Sequence, residues 1–171
     1  MQKTVVALSL IFSALFAQAQ DVSELDKRNG FKDIKLTMPV DSVKGATLKK
    51  EFEIAGNVYP SKLYEVEHPD YEQIGDIKVH GIELKTYRDV IYEISIITEK
   101  DPRLMKAMEN VFGQASYDSK NHLYFWKTES VVLTYTSHSK KELELVYKSI
   151  TVPKMMKKDK EKKIDTISDD F

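Results

Sequence analysis

The sequence predicts an α+β fold, built mainly from an antiparallel sheet with one principal helix packed on one face. Period-two alternation recurs along the chain. Asp33 to Met38 puts Ile34, Leu36 and Met38 on one side and Asp33, Lys35 and Thr37 on the other, the pattern of a half-buried strand. Pro102 to Phe112 carries a full set of helix signals. Asp101 is a good cap, and Pro102 takes the first-turn position where a missing N–H costs nothing. Leu104, Met108, Val111 and Phe112 form one stripe with Met105 at its border, and Gly113 supplies a left-handed stop. After that helix, Asn121–Lys127, Ser130–Thr136 and Glu142–Ile150 are separated by short turns and read as a three-stranded meander.

From the start of the chain, residues 1–19 have the layout of a secretory signal. Lys3 is followed by the uncharged apolar run Val5 to Phe16, and Ala17 and Ala19 place small side chains before a cut expected between Ala19 and Gln20. The run is shorter than the roughly 20 apolar residues that a spanning helix needs, and no later run matches it. No transmembrane segment is therefore expected after cleavage, and the expected location is periplasmic or extracellular. With no cysteine in the chain, disulfides, thiol nucleophiles, thiolate metal sites and lipid acylation are all excluded. The formal net charge of −1 does not suit a nucleic-acid partner.

Residues 20–30 read as a polar lead-in ending in Asn29-Gly30, and residues 31–153 as a single α+β domain. Pro39 stops the first strand, Asp41 is placed to cap a short helical turn through Val43 and Lys44, and Gly45 limits it. Glu51–Ile54 and Val58–Glu67 are strand-like, with Pro60 marking an edge or bulge. His68-Pro69-Asp70 makes a turn. Ile77 to Tyr87 contains a phase slip, since Ile77 and Val79 are odd while Ile82 and Leu84 are even; a bulge near His80-Gly81 repairs it, with a tight turn as the alternative. Arg88-Asp89 turns the chain into Val90–Thr98, whose β-branched content fits a strand covered on both faces. Trp126 is expected in the core against Leu104, Met108 and Phe112.

Pro153 is expected to close the domain. Residues 154–171, with six lysines between Lys154 and Lys163, read as a charged mobile tail; the alternative is a terminal helix docking its Met and Ile residues on the sheet. Residues 30–99 and 100–150 each place a helix, opened by an Asp near a Pro, ahead of antiparallel strands. That arrangement allows a degenerate tandem helix-plus-strands repeat, although sequence identity between the halves is too slight to establish one.

Two segments carry a resemblance. FKDIKLTMPVDSVKG (Phe31 to Gly45) resembles the opening strand, turn and short helix of exported Bacteroidetes-like α+β proteins, and the signal ending FAQAQ resembles theirs. LMKAMENVFGQASYDSKNHLYFWKTESVVLTYT (Leu104 to Thr136) resembles their second module of helix, Phe-Gly stop, Trp-bearing strand and Leu-x-Tyr strand. In outline the whole is similar to the scaffolds of the outer-membrane-assembly lipoprotein BamE (SmpA-like) and of the β-lactamase inhibitor protein. Thr37 stands where a Gly is usual in that pattern, and the acylated cysteine of the lipoproteins is missing.

Residues suited to catalysis are scattered. His68, His80, His122 and His138 have neither His-x-x-x-His nor Glu-x-x-His spacing, and no nucleophile motif or phosphate-cradling glycine loop occurs. No catalytic residue, metal site or cofactor is assigned on this basis. Glu65, Glu67, Glu83 and Glu93 read as solubilising strand charges. Tyrosines stand out at Tyr59, Tyr64, Tyr87, Tyr92, Tyr124, Tyr135 and Tyr147, all on expected strands. Tyrosine covers a sheet and is also enriched at interfaces, so Tyr64, Tyr87 and Tyr92 with the bulge residue His80 form the candidate interaction surface. The expected function is an exported, non-catalytic binding module of the cell envelope, its partner an unnamed protein or envelope component. Two alternatives remain. A small envelope hydrolase requires His80 or His68 in a polar cleft with two or more carboxylates in reach. A structural subunit requires no ligand.

Overall fold

A computed structural model describes residues 23–168. The expected signal segment, with the Ala19–Gln20 junction, lies outside the described residues. The chain forms an α+β fold on a large antiparallel sheet, as its alternation predicts. Helix α1 (Ser23–Arg28) is more than a lead-in, because Leu25 is wholly buried. Strands β1 (Gly30–Phe31) and β2 (Ile34–Lys35) make a small hairpin. The expected 33–38 strand is shorter because Lys32 and Thr37 take left-handed backbone, at φ 52° and 69°. The segment then follows the start of a later strand. Thr37 N–H donates to the Ile91 carbonyl at 2.8 Å, and Ile91 N–H donates to the Met38 carbonyl at 3.0 Å. Ile34 and Leu36 are buried as the alternation requires.

Thr37 is exposed and β-branched, a poor occupant of left-handed backbone. The conformation costs an L-residue roughly 1–2 kcal/mol, while glycine gives back about 0.4–1 kcal/mol through the freedom of the unfolded chain. Thr37→Gly is therefore expected to stabilise the protein by ~0.5–1 kcal/mol and raise the melting temperature by a few degrees. Circular-dichroism melts check this; a lower Tm would show that the backbone there is not strained.

A 3₁₀ turn at Val40–Ser42 follows, with Pro39 rather than Asp41 at the cap position; no Asp41 side-chain cap forms, because Asp41 lies inside the turn. Gly45 has φ 71°, and a Cβ there would meet the Glu67 carbonyl oxygen at 2.0 Å, so only glycine lets the chain enter the sheet. Strands β3 (Ala46–Phe52) and β4 (Ser61–Val66) start and stop differently from the expected runs, leaving Val58, Tyr59 and Pro60 in the connecting loop. The bulge lies in β3, between Leu48 and Lys50. A second 3₁₀ turn, Pro69–Tyr71, precedes β5 (Gln73–Ile74), β6 (Ile77–Tyr87) and β7 (Val90–Glu99). The β6–β7 register slips between Val79 and Gly81, which places the extra residue at His80 as the phase of the sequence requires. A second slip lies opposite Tyr92.

Helix α2 spans Pro102–Phe112, with the Asp101 carboxylate accepting from Arg103 N–H at 2.8 Å and Leu104, Met108 and Phe112 buried. Then come β8 (Ser116–Asp118), β9 (Leu123–Lys127), β10 (Val131–Ser137), β11 (Glu142–Ser149) and helix α3 (Thr151–Ser168). The sheet order is β3-β4-β6-β7-β11-β10-β9-β8, with β5 paired to β6. Two meanders thus meet at β7 and β11, the last strand of each half.

Strand parity assigns the faces. Ile82, Leu84, Ile94, Ile96, Leu145, Leu133 and Trp126 face one way and join the α2 stripe in the main core. Leu63, Tyr87 and Val146 are buried on the other side. There α3 corrects two expectations. Residues 154–171 have the composition of a mobile tail, yet residues through Ser168 are helical, and Pro153 sits in the helix's first turn instead of ending the fold. Ser149 Oγ accepts from Thr151 and Val152 N–H at 3.2 Å, capping the start. Val152 is buried, and Met155, Met156 and Asp159 are half-buried at helical spacing; Ile164 and Ile167 stay exposed. The sheet is therefore covered on both faces, by α2 and by α3. Among the described residues, no helix is long and apolar enough to cross a membrane.

Candidate functional site

The four residues expected to share a surface do not converge. Tyr64 stands opposite Leu84 and packs against the main core. Tyr87 faces the other way and is wholly buried, its hydroxyl donating to Asp159 at 3.1 Å. Tyr92 is half-buried at the second register slip. Only His80 is exposed, because the bulge re-aims it. Burial decides these outcomes: sheet faces that carry large rings become cores once helices cover them.

His80 and His68 do share a cleft of about 240 Å³, with Glu67, Glu72 and Tyr71 in its walls. Each imidazole already has a structural partner. His80 Nδ1 lies 2.8 Å from Glu142 Oε1, and Ser139 Oγ donates to Glu142 Oε2 at 2.9 Å. The His80 bond first and the Ser139 bond second hold the Glu142 carboxyl below its ordinary range. The hydroxyl therefore sits on the carboxylate and not on the imidazole, the wrong order for activating a nucleophile. His68 Nδ1 accepts from Asp70 N–H at 3.2 Å, capping the 3₁₀ turn. Burial and the neighbouring Asp33 push the Tyr71 phenol up to about 12, so it stays protonated.

Glu65, Glu83 and Glu93 are engaged as well, whereas Glu67 stands past the end of β4 in the cleft wall with no ion pair among the described residues. Glu83 pairs with Lys49 at 3.0 Å, and Glu93 holds both Lys85 at 2.7 Å and Lys148 at 3.2 Å. Among the described residues, no group of three or more His, Cys, Asp or Glu is placed to hold a metal.

A different tyrosine set is brought together. Tyr117, Tyr124 and Tyr135 stand directly opposite one another on β8, β9 and β10, so their side chains share a face. Their ring centroids are 4.9 Å apart between Tyr117 and Tyr124 and 6.3 Å apart between Tyr124 and Tyr135. Tyr117 is 52% exposed and Tyr124 41%, while burial raises the pKa of half-buried Tyr135. The ladder rises from the core side at Tyr135 to the free β8 edge.

Tyr124 and Tyr135 were expected on strands, but Tyr117 was missed because three residues are too few to show alternation. The usable signal was the turn after it. Asp118 Oδ1 accepts from Lys120 N–H at 2.9 Å and Asn121 N–H at 3.2 Å, and such Asx turns join hairpin strands. Tyr59, expected on a strand, lies in the β3–β4 loop. No protein-family model, curated protein or solved structure matches this chain.

Proposed function

We propose that this chain is an exported, non-catalytic binding module of the cell envelope, and that its partner, a protein or envelope component, seats on the Tyr117–Tyr124–Tyr135 ladder. The observation that carries the reading is the ladder itself: three rings in tilted and edge-on contact, two of them open to solvent, at the β8 edge. Tyrosine supplies large, stiff, amphipathic contact area at small entropic cost, and such residues dominate binding energy when a partner covers them. The opposite edge is less suited. β3 has a bulge and presents Lys49 and Lys50, features that discourage added strands. The export half of the proposal rests on the charged start, apolar run and Ala17-Gln18-Ala19 of residues 1–19.

The test compares wild-type protein with Tyr117→Ala/Tyr124→Ala as immobilised bait for envelope extract. Wild type is expected to retain a defined partner, and the double variant to retain it about tenfold less, with an unchanged Tm. Equal retention would remove the ladder from the reading. No specific retention by wild type would remove the binding function.

A further inference from the structure

The structure assigns a second site, independent of the tyrosine ladder: a basin for a small soluble oligophosphate, a ligand carrying two or more phosphoryl groups. Its walls are Lys78, His80, Glu99, Lys100, Lys140 and Lys141, enclosing about 460 Å³. The register assembles it from three separate stretches. Val79 stands opposite Thr98, Glu142 stands opposite Glu99, and Lys100 N–H donates to the Lys141 carbonyl at 2.9 Å. These pairings bring the start of β6, the end of β7 and the β10–β11 turn to one corner of the sheet.

What distinguishes that corner is that its lysines are gathered in one concavity. Lys44, Lys49, Lys62, Lys85 and Lys148 each have a carboxylate partner. Among the described residues, the ammonium groups of Lys78, Lys100, Lys140 and Lys141 form no ion pair or hydrogen bond. Carboxylates close by in sequence are taken: Asp76 and Asp101 are both held by Arg103, and Glu142 by His80 and Ser139. Within the basin only Glu99 opposes four lysines, in a molecule whose overall charge is −1. Gathering like charges in a concave surface raises their energy, and it also focuses the field that draws a counter-ion in.

The ligand class follows from the walls. Four separated point charges exceed what one carboxylate or one phosphate neutralises, so adjacent phosphoryl groups suit them best. Lysine binds phosphate as a rotatable point charge without the geometric demand of an arginine fork, so charge count outranks shape. No apolar side chain lines the basin, which leaves nothing to enter a lipid layer and favours a soluble ligand.

The experiment is a ¹⁵N NMR titration of the whole chain with sodium tripolyphosphate, and separately with inorganic phosphate, at 50 and 200 mM salt. Shifts are expected at Lys78, His80, Lys100, Lys140 and Lys141. Tripolyphosphate should bind at least about tenfold more tightly than phosphate, and more weakly at the higher salt. Lys140→Gln/Lys141→Gln on the exposed turn should weaken it about tenfold or more, and Lys78→Gln, on the other wall, should weaken it too. Lys154→Gln/Lys157→Gln/Lys158→Gln on α3 removes even more charge elsewhere and should leave affinity within about twofold. The proposal is overturned if the α3 variant weakens binding as much as the turn variant, if the shifts spread over α3, or if tripolyphosphate has no advantage over phosphate.

Discussion

Trp126→Ala is expected to lose about 3–5 kcal/mol of stability in urea denaturation. The ring is 1% exposed and meets Phe112 edge-on, with centroids 6.1 Å apart at 63°. Its indole N–H donates to the Gly113 carbonyl at 2.7 Å, so one side chain both fills the space beneath α2 and ties down the residue that ends it. Alanine removes the ring and orphans that carbonyl together. Trp126→Phe separates the two contributions, keeping most of the volume while losing the bond, at about 1–2 kcal/mol. Far-UV circular dichroism is the readout, because Trp126 is the only tryptophan and its fluorescence disappears with it. A loss below ~1 kcal/mol for the alanine variant would show that α2 is held by other contacts.

Tyr87→Ala is expected to cost about 3 kcal/mol and to release α3 from the sheet. Tyr87 is wholly buried, stands edge-on to Tyr59 at 5.9 Å, and donates to Asp159. Arg88 pairs with the same carboxylate at 3.3 Å while lying over the Tyr59 ring at 5.2 Å. Helix, hairpin and loop therefore share one knot. Tyr87→Phe keeps the ring and should cost only about 1 kcal/mol. Hydrogen exchange over residues 151–168 is the specific check, with faster exchange expected in the alanine variant. Wild-type exchange and stability in that variant would return Tyr87 to the surface, where the sequence alone had put it.

Those two residues mark where the sequence was legible. Trp126, the α2 stripe and the His80 bulge follow from local chemistry: a capped amphipathic run, and a parity slip that one extra residue must repair. Each of these features depends on neighbours within a dozen positions. Tyr87 shows the limit. Parity tells which residues share a face, but not which face a helix will later cover. The α3 stripe of Val152, Met155, Met156 and Asp159 is diluted by lysines, so composition suggests solvent; its docking depends on Asp159 meeting Tyr87 and Arg88 some 70 positions earlier. The exposed tyrosines were hidden for a related reason, because Tyr117 belongs to a strand too short to show a period. The lysine basin is the extreme case: nothing in the spacing of Lys78, Lys100, Lys140 and Lys141 joins them, and only the strand register does.

The unlike ends of the sheet limit how copies of this molecule associate. Growth into a fibre needs two receptive ends, one to accept and one to extend. Here the β3 side is kinked by its bulge and cationic, while the β8 side is short and aromatic. Should two copies meet through their β8 sides, both receptive ends are consumed and two guarded ones remain, so self-assembly stops at a closed pair.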